Sequence, residues 1–240
     1  MAFTELCFPP VFEPVAIARP GAFAEACARA GEMGAGTLVW SRREDKLDCA
    51  VVLEPDRPRR DALPVVYAGA LALREAIGAL GPPNKPLTFA WPDRIDVDGG
   101  CVGGVRLAAG PDADGVPAWV VIGAEIDVAG DPDDPDPGRH VGRTALWEEG
   151  FGEVEVPQLT ESWARFLVGW IGRFEEEGFD PVRREWLAHA PGHGRQFTRL
   201  IAGAQVAGRF KDVDAAGGLV LEDGRRIGLE VVLDGPTWRL

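Results

Sequence analysis

Lysine is nearly missing from this chain: among 25 basic residues only Lys46, Lys85 and Lys211 are not arginine. A reaction that needs a lysine ammonium would have to use one of these three. Cysteine and histidine are sparse as well. Cys7, Cys27, Cys49 and Cys101 are scattered and none forms a Cys-x-x-Cys pair. His140, His189 and His193 do not stand at zinc-ligand spacing from them, which argues against a metal centre and for reduced, mostly buried thiols. No apolar run of transmembrane length is visible, and no basic segment leads into one at the N-terminus. Neither a membrane span nor a signal peptide is expected, and the cytoplasm is the expected location. Positive charge is short too. A net charge of −13 repels a phosphate backbone unless a basic face is segregated, so nucleic acid is not an expected partner.

What is present suits one sizeable domain with a small appendage in 240 residues. Pro20 to Ala30 reads as a helix, with Phe23, Ala26, Cys27 and Ala30 on one face and Gly31 as a stop. Strands are expected at Gly36–Ser41 and Asp48–Glu54, joined by a charged loop from Arg42 to Lys46. A second helix runs from Pro64 to about Leu80, ended by Gly81-Pro82-Pro83. Strands follow at about 87–91, 102–108 and 118–126. The pattern predicts a mixed sheet with helices packed on one face, an α+β architecture. Asp131 to Gly138 alternates carboxylates with prolines and reads as a solvated loop, without the glycine and bidentate glutamate of a calcium loop.

The clearest helix spans Leu159 to Glu177. Trp163, Phe166, Leu167, Trp170 and Phe174 form a single apolar stripe, read as packing. Asp180-Pro181 predicts an N-cap and first turn for another helix, which carries Trp186 and stops at Pro191-Gly192. Pro191 to Arg195 reads as a linker. Short strands are then expected at Phe197–Ile201, Gln205–Phe210, Gly218–Leu221 and Arg226–Val232, with a hairpin signal at Asp223-Gly224. The expected division is 1–192 and 195–240.

The most informative stretch is Thr88 to Val128. It holds Trp91-Pro92-Asp93-Arg94, then Cys101-Val102-Gly103-Gly104, then Ile122-Gly123-Ala124-Glu125-Ile126-Asp127. Glycine has no Cβ, so such strands let a flat or extended ligand lie against main chain.

These motifs, with Glu175–Pro181 and Trp186 further on, resemble the biotin/lipoate protein ligase family over nearly the whole chain. The resemblance implies a mixed-sheet catalytic domain followed by a small C-terminal SH3-like β-barrel, and the N-terminal winged helix of the repressor-type ligases is not expected. It further implies ATP with Mg²⁺, a small carboxylic acid such as biotin, lipoate or octanoate as substrate, and transfer of the acyl group to a lysine on a carrier-protein domain. The ligand-binding positions it implies are Arg42, Arg43, Trp91, Asp93, Gly103, Gly104, Gly123 and Ala124. Several family residues are replaced. The loop after Ser41 lacks glycine. Ala90, Asp93 and Arg94 stand for a lysine, an asparagine and an aspartate. Cys101 stands for the lysine before the paired glycines. Loss of that charge would cost about 2.7–4 kcal/mol, a factor of roughly 10²–10³ in rate. Three readings stay open: a diverged ligase that binds an acid or its acyl-adenylate, a non-catalytic binding module, and an ATP-independent acyltransferase working through a Cys101 thioester.

Overall fold

The computed structural model describes residues 6–130, 142–201, 203–233 and 235–240. The expected acidic loop and His140 lie outside them. A seven-stranded sheet is built from β1 (Glu13–Ile17), β2 (Thr37–Ser41), β3 (Lys46–Leu53), β4 (Leu87–Ala90), β5 (Arg94–Val97), β6 (Gly100–Ala109) and β9 (Val120–Asp127), in the order β1-β2-β3-β9-β6-β5-β4. Two-residue strands β7 (Asp112–Ala113) and β8 (Val116–Pro117) form a small ribbon between β6 and β9. β1 and β2 are parallel and the other neighbours antiparallel, so the sheet is mixed, as expected.

Besides the short ribbon, two strands of the seven-stranded sheet go beyond the sequence expectations. β1 lies at the sheet edge, carries a proline and is half exposed, so it shows no apolar alternation. β5 does alternate, with Ile95 and Val97 buried between Arg94 and Asp96, but it is only four residues long.

The helices are α1 (Ala22–Met33), α2 (Arg59–Ala62), α3 (Val66–Leu80), α4 (Val156–Glu177) and α5 (Phe179–Ala188). They do not all pack on one face, contrary to expectation. Ala22, Ala26 and Ala30 of α1 cover Val39, Ala50, Val52 and Val121 on one side, while α3 and α4 share a larger cluster on the other. The strands are buried on both faces where α1 lies, which is why β3 and β9 read as near-continuous apolar runs. The stripe on α4 is packing: Trp163, Leu167, Trp170 and Phe174 are buried, and Trp163 Nε1 donates to the Gly69 carbonyl at 3.2 Å. The α5 cap is Gly178 rather than Asp180, which sits inside the first turn. Arg59–Leu80 is apolar and long enough to pass for a membrane span, with a mean hydropathy of 1.4, but 72% of that window is buried within the protein.

Beyond α5, strands β10 (Gln196–Ile201), β11 (Ala204–Val213), β12 (Leu219–Leu221) and β13 (Arg226–Ile227) form a four-stranded antiparallel sheet. The expected strand Arg226–Val232 stops at Ile227 and gives way to a 3₁₀ turn at Leu229–Val232. At three residues per turn Leu229 and Val232 lie on one side, and both are buried in the main core. The seam with the first sheet is specific. Tyr67 Oη and Trp91 Nε1 both donate to the carbonyl of Gly217, at 2.7 and 3.2 Å.

Candidate functional site

Side chains alternate across the sheet, and this decides what can meet a ligand. On β3, β9, β6 and β5 the residues Leu47, Cys49, Val51, Ile122, Ala124, Ile126, Val105, Leu107, Ile95 and Val97 belong to the core cluster with α3 and α4. Ala124 is among them, so its side chain faces the α3 and α4 core rather than the charged face. The opposite face carries Lys46, Asp48, Gly123, Glu125, Asp127, Gly104, Arg106, Arg94 and Asp96. Registry places Lys46 opposite Asp127, Asp48 opposite Glu125, Glu125 opposite Gly104 and Gly104 opposite Arg94. Helix α1 covers only part of this face, and the charged residues lie past its N-terminal end.

Those charges form a connected set. Lys46 Nζ stands 2.7 Å from Asp127 and 3.7 Å from Glu125. Arg106 reaches Glu125 at 3.5 Å, and Arg143 reaches Asp127 at 3.6 Å. Arg106 also lies over the ring of Phe23, 4.6 Å from its centroid. Asp48 accepts from the backbone N–H groups of Gly21 and Ala22 at 2.8 and 3.1 Å, so the positive end of α1 is satisfied by a carboxylate from β3.

The three glycines prove to be needed by the chain itself. A Cβ on Gly103 would lie 2.1 Å from the Glu125 carbonyl, and Gly103 has φ +135°. On Gly104 it would lie 1.9 Å from the Asp93 carbonyl and 2.6 Å from Trp238 Nε1; on Gly123, 2.6 Å from Phe23. Flat rings do lie against main chain here, but they are the protein's own.

The remaining sequence candidates separate. Arg43 is held by Asp45 through two hydrogen bonds, one of 2.9 Å, and this pairing pushes the carboxyl of Asp45 down. The Arg42 backbone N–H donates to Ile17 at 3.1 Å. Trp91 is buried against the C-terminal sheet, where it lines a cavity of about 170 Å³ with Phe89, Phe197, Arg199 and Phe210. Asp93 is 2% exposed, and burial pushes its carboxyl up to about 6 although it accepts two bonds from Thr237. Arg94 pairs with Asp96. Cys101 is 2% exposed, its N–H bound to Gly142 and its carbonyl to Thr144. Burial pushes its thiol up despite the nearby Arg94, the opposite of what a thioester-forming nucleophile needs. His189 and His193 are engaged elsewhere, with Glu185 and the Lys211 carbonyl.

Residues 8–188 match the sequence profile described as the Biotin/lipoate A/B protein ligase family. The chain belongs to that family. A curated relative, the Biotin--[acetyl-CoA-carboxylase] ligase of Paracoccus denitrificans, is 28% identical over 216 residues, covering 87% of this chain and 89% of its own. Among solved structures, a biotin protein ligase-like protein of unknown function from Silicibacter sp. TM1040 is 31% identical, covers 95% of this chain and 99% of its own, and superposes with a TM-score of 0.85. The biotin protein ligase of Aquifex aeolicus shares the fold at 18% identity and TM-score 0.71, covering 90% of this chain and 95% of its own.

Within the family frame, what the sequence does not reveal about the uncovered half-face is the set of cations around Glu125 and Asp127. Lys46 was noticed only as one of three lysines, and Arg106 not at all. The available signal was the alternation Lys46, Asp48 on β3 against Glu125, Asp127 on β9. Mg²⁺ bound with ATP usually takes one or two carboxylates from the protein. Here Asp93, Asp96, Glu125 and Asp127 are each engaged by Thr237, Arg94, Lys46 or Arg143, which does not fit that role. Among the described residues no group of three or more His, Cys, Asp or Glu side chains is placed to hold a metal ion.

Proposed function

We propose that the protein binds a small carboxylic acid, or the acyl-adenylate of one, on the half of the sheet face that α1 leaves uncovered. The observation that carries this reading is the gathering of Lys46, Arg106 and Arg143 around Glu125 and Asp127. A ligand carboxylate or phosphate can take over one of those cations by charge-assisted hydrogen bonds, which are roughly twice as strong as neutral ones. Family membership supports the ligand class, as does the naming of a relative as a biotin ligase. An Aquifex aeolicus ligase with this fold has been solved in complex with biotin and ATP.

In the fuller form of this reading the acid is joined to AMP, with loss of pyrophosphate, and the acyl group passes to a lysine of a carrier-protein domain. Cys101 cannot supply the charge of the lysine it stands for, so adenylation would run roughly 10²–10³ slower than with that lysine in place. The C-terminal strands, residues 195–240, serve in this reading as an SH3-like unit beside a ligase-like domain at 1–192, and the protein works in the cytoplasm.

A second reading, a non-catalytic binding module, is favoured by one observation: the carboxylates and cations of the face already pair with one another. The thioester reading has the buried, protonated Cys101 against it. ATP–pyrophosphate exchange in the presence of biotin, lipoate or octanoate separates the first two. Exchange supported by one acid establishes the ligase form. A raised melting temperature with an acid, without exchange, establishes binding alone. Neither response with any of the acids, nor with preformed biotinyl-AMP, refutes the proposal.

A further inference from the structure

Thr237 and Trp238 reach the same face of the sheet from the far end of the chain. Asp93 accepts from the Thr237 backbone N–H at 2.8 Å and from its hydroxyl at 2.5 Å. Arg199 donates to the Thr237 hydroxyl at 3.4 Å and to the Trp91 carbonyl at 2.6 Å. The indole of Trp238 is 5% exposed, and its Nε1 lies 2.6 Å from where a Cβ on Gly104 would be. A flat ring therefore rests at a glycine directly opposite Glu125 and Arg94 in the strand register, beside the charged set. The seat is incomplete, because Trp238 Nε1 is buried and has no hydrogen-bond acceptor among the described residues. An orphaned donor of this kind weakens docking by roughly 5–150-fold relative to a paired one, and leaving the seat returns that N–H to water.

We propose that Thr237–Trp238 is an intramolecular occupant of the ligand site, seated over Gly104 and displaced when ligand binds. The inference rests on the acid-binding reading of this face and adds its regulation: the C-terminal unit decides when the site is open. Release of the segment uncovers Gly104 and frees Asp93 and Arg199 from Thr237, leaving a guanidinium for a ligand oxygen. If the segment is docked in about nine molecules of ten, the apparent affinity of the site is about tenfold below its intrinsic value.

The test measures binding of biotin, lipoate, octanoate and biotinyl-AMP by calorimetry to the full chain, Trp238→Ala and Thr237→Ala. Hydrogen exchange of residues 236–240 is followed in parallel, with and without ligand. Trp238→Ala is expected to bind at least tenfold more tightly. Thr237→Ala, which removes the hydroxyl's bonds with Asp93 and Arg199 but keeps the backbone bond to Asp93, is expected to bind a few-fold more tightly, and it carries the test alone if Trp238→Ala does not fold. Saturating ligand is expected to speed exchange in the wild-type segment. A wild type that binds while the folded variants bind no better overturns the displacement proposal and leaves the acid-binding reading standing. Unchanged exchange under saturating ligand does the same. No binding by any of the three proteins refutes the acid-binding reading, and this proposal with it.

Discussion

Asp93 gives the sharpest test of how the C-terminal segment is held. Its carboxyl is pushed up from 3.8 to about 6, chiefly by burial, with the bonds from Thr237 and the charge of Arg199 pulling the other way. A shift of about two units corresponds to about 3 kcal/mol of differential stability, an order-of-magnitude figure. The raised value means that the folded state holds the proton more tightly than the unfolded chain does. The stability from this group is complete below pH 3.8 and is lost as the pH rises through about 6. Asp93→Asn has no such titration, yet its amide oxygen can still accept from the Thr237 N–H. Chemical unfolding of both proteins at intervals from pH 4 to pH 8 isolates the effect, because acids such as Asp45 titrate alike in the two and cancel. The stability of the wild type relative to the variant is expected to fall by up to about 3 kcal/mol across that range. Parallel stability curves would refute the reasoning. So would a wild type that gains on the variant as the pH rises, since that would mean Arg199 and Thr237 outweigh burial and hold Asp93 ionised.

Gly104→Ala is expected to cost about 3 kcal/mol or more, since its Cβ would meet a backbone carbonyl at 1.9 Å and the β5–β6 pair would have to part. Gly152→Ala, with nothing within 4 Å, is the neutral control, and denaturant midpoints compare the two. Cys101 is expected to resist alkylation by iodoacetamide at neutral pH while the exposed Cys7 reacts. An acyl-carrier donor should leave no mass adduct on Cys101, and rapid labelling there would reopen the thioester reading.

Much of the architecture was legible because it depends on local periodicity. The α4 stripe, the apolar runs of β3 and β9, and the Asp223-Gly224 turn each carry their signal within a few residues. The misses follow the same logic. β1 draws its stability from pairing with β2 rather than from its own pattern, and Leu229–Val232 leaves the expected strand because the main core takes both apolar residues on one side of a 3₁₀ turn. For the site, Trp91, Gly103 and Gly104 stand out in the structure for packing against the protein's own groups, a different reason from the one their types suggested. A glycine says that something comes close; it does not say what.

By itself, the sequence determined the family frame and the mixed sheet with its helices, since these rest on residue identity and local spacing. Only the tertiary structure decided which groups share the uncovered face. It brought Lys46, Arg106 and Arg143 around two carboxylates, put Asp48 on the positive end of α1, and set Phe23 and Trp238 against the glycines. Those contacts join residues up to 134 positions apart, from Gly104 to Trp238, and nothing in local pattern encodes which distant side chain fills a space that a glycine leaves.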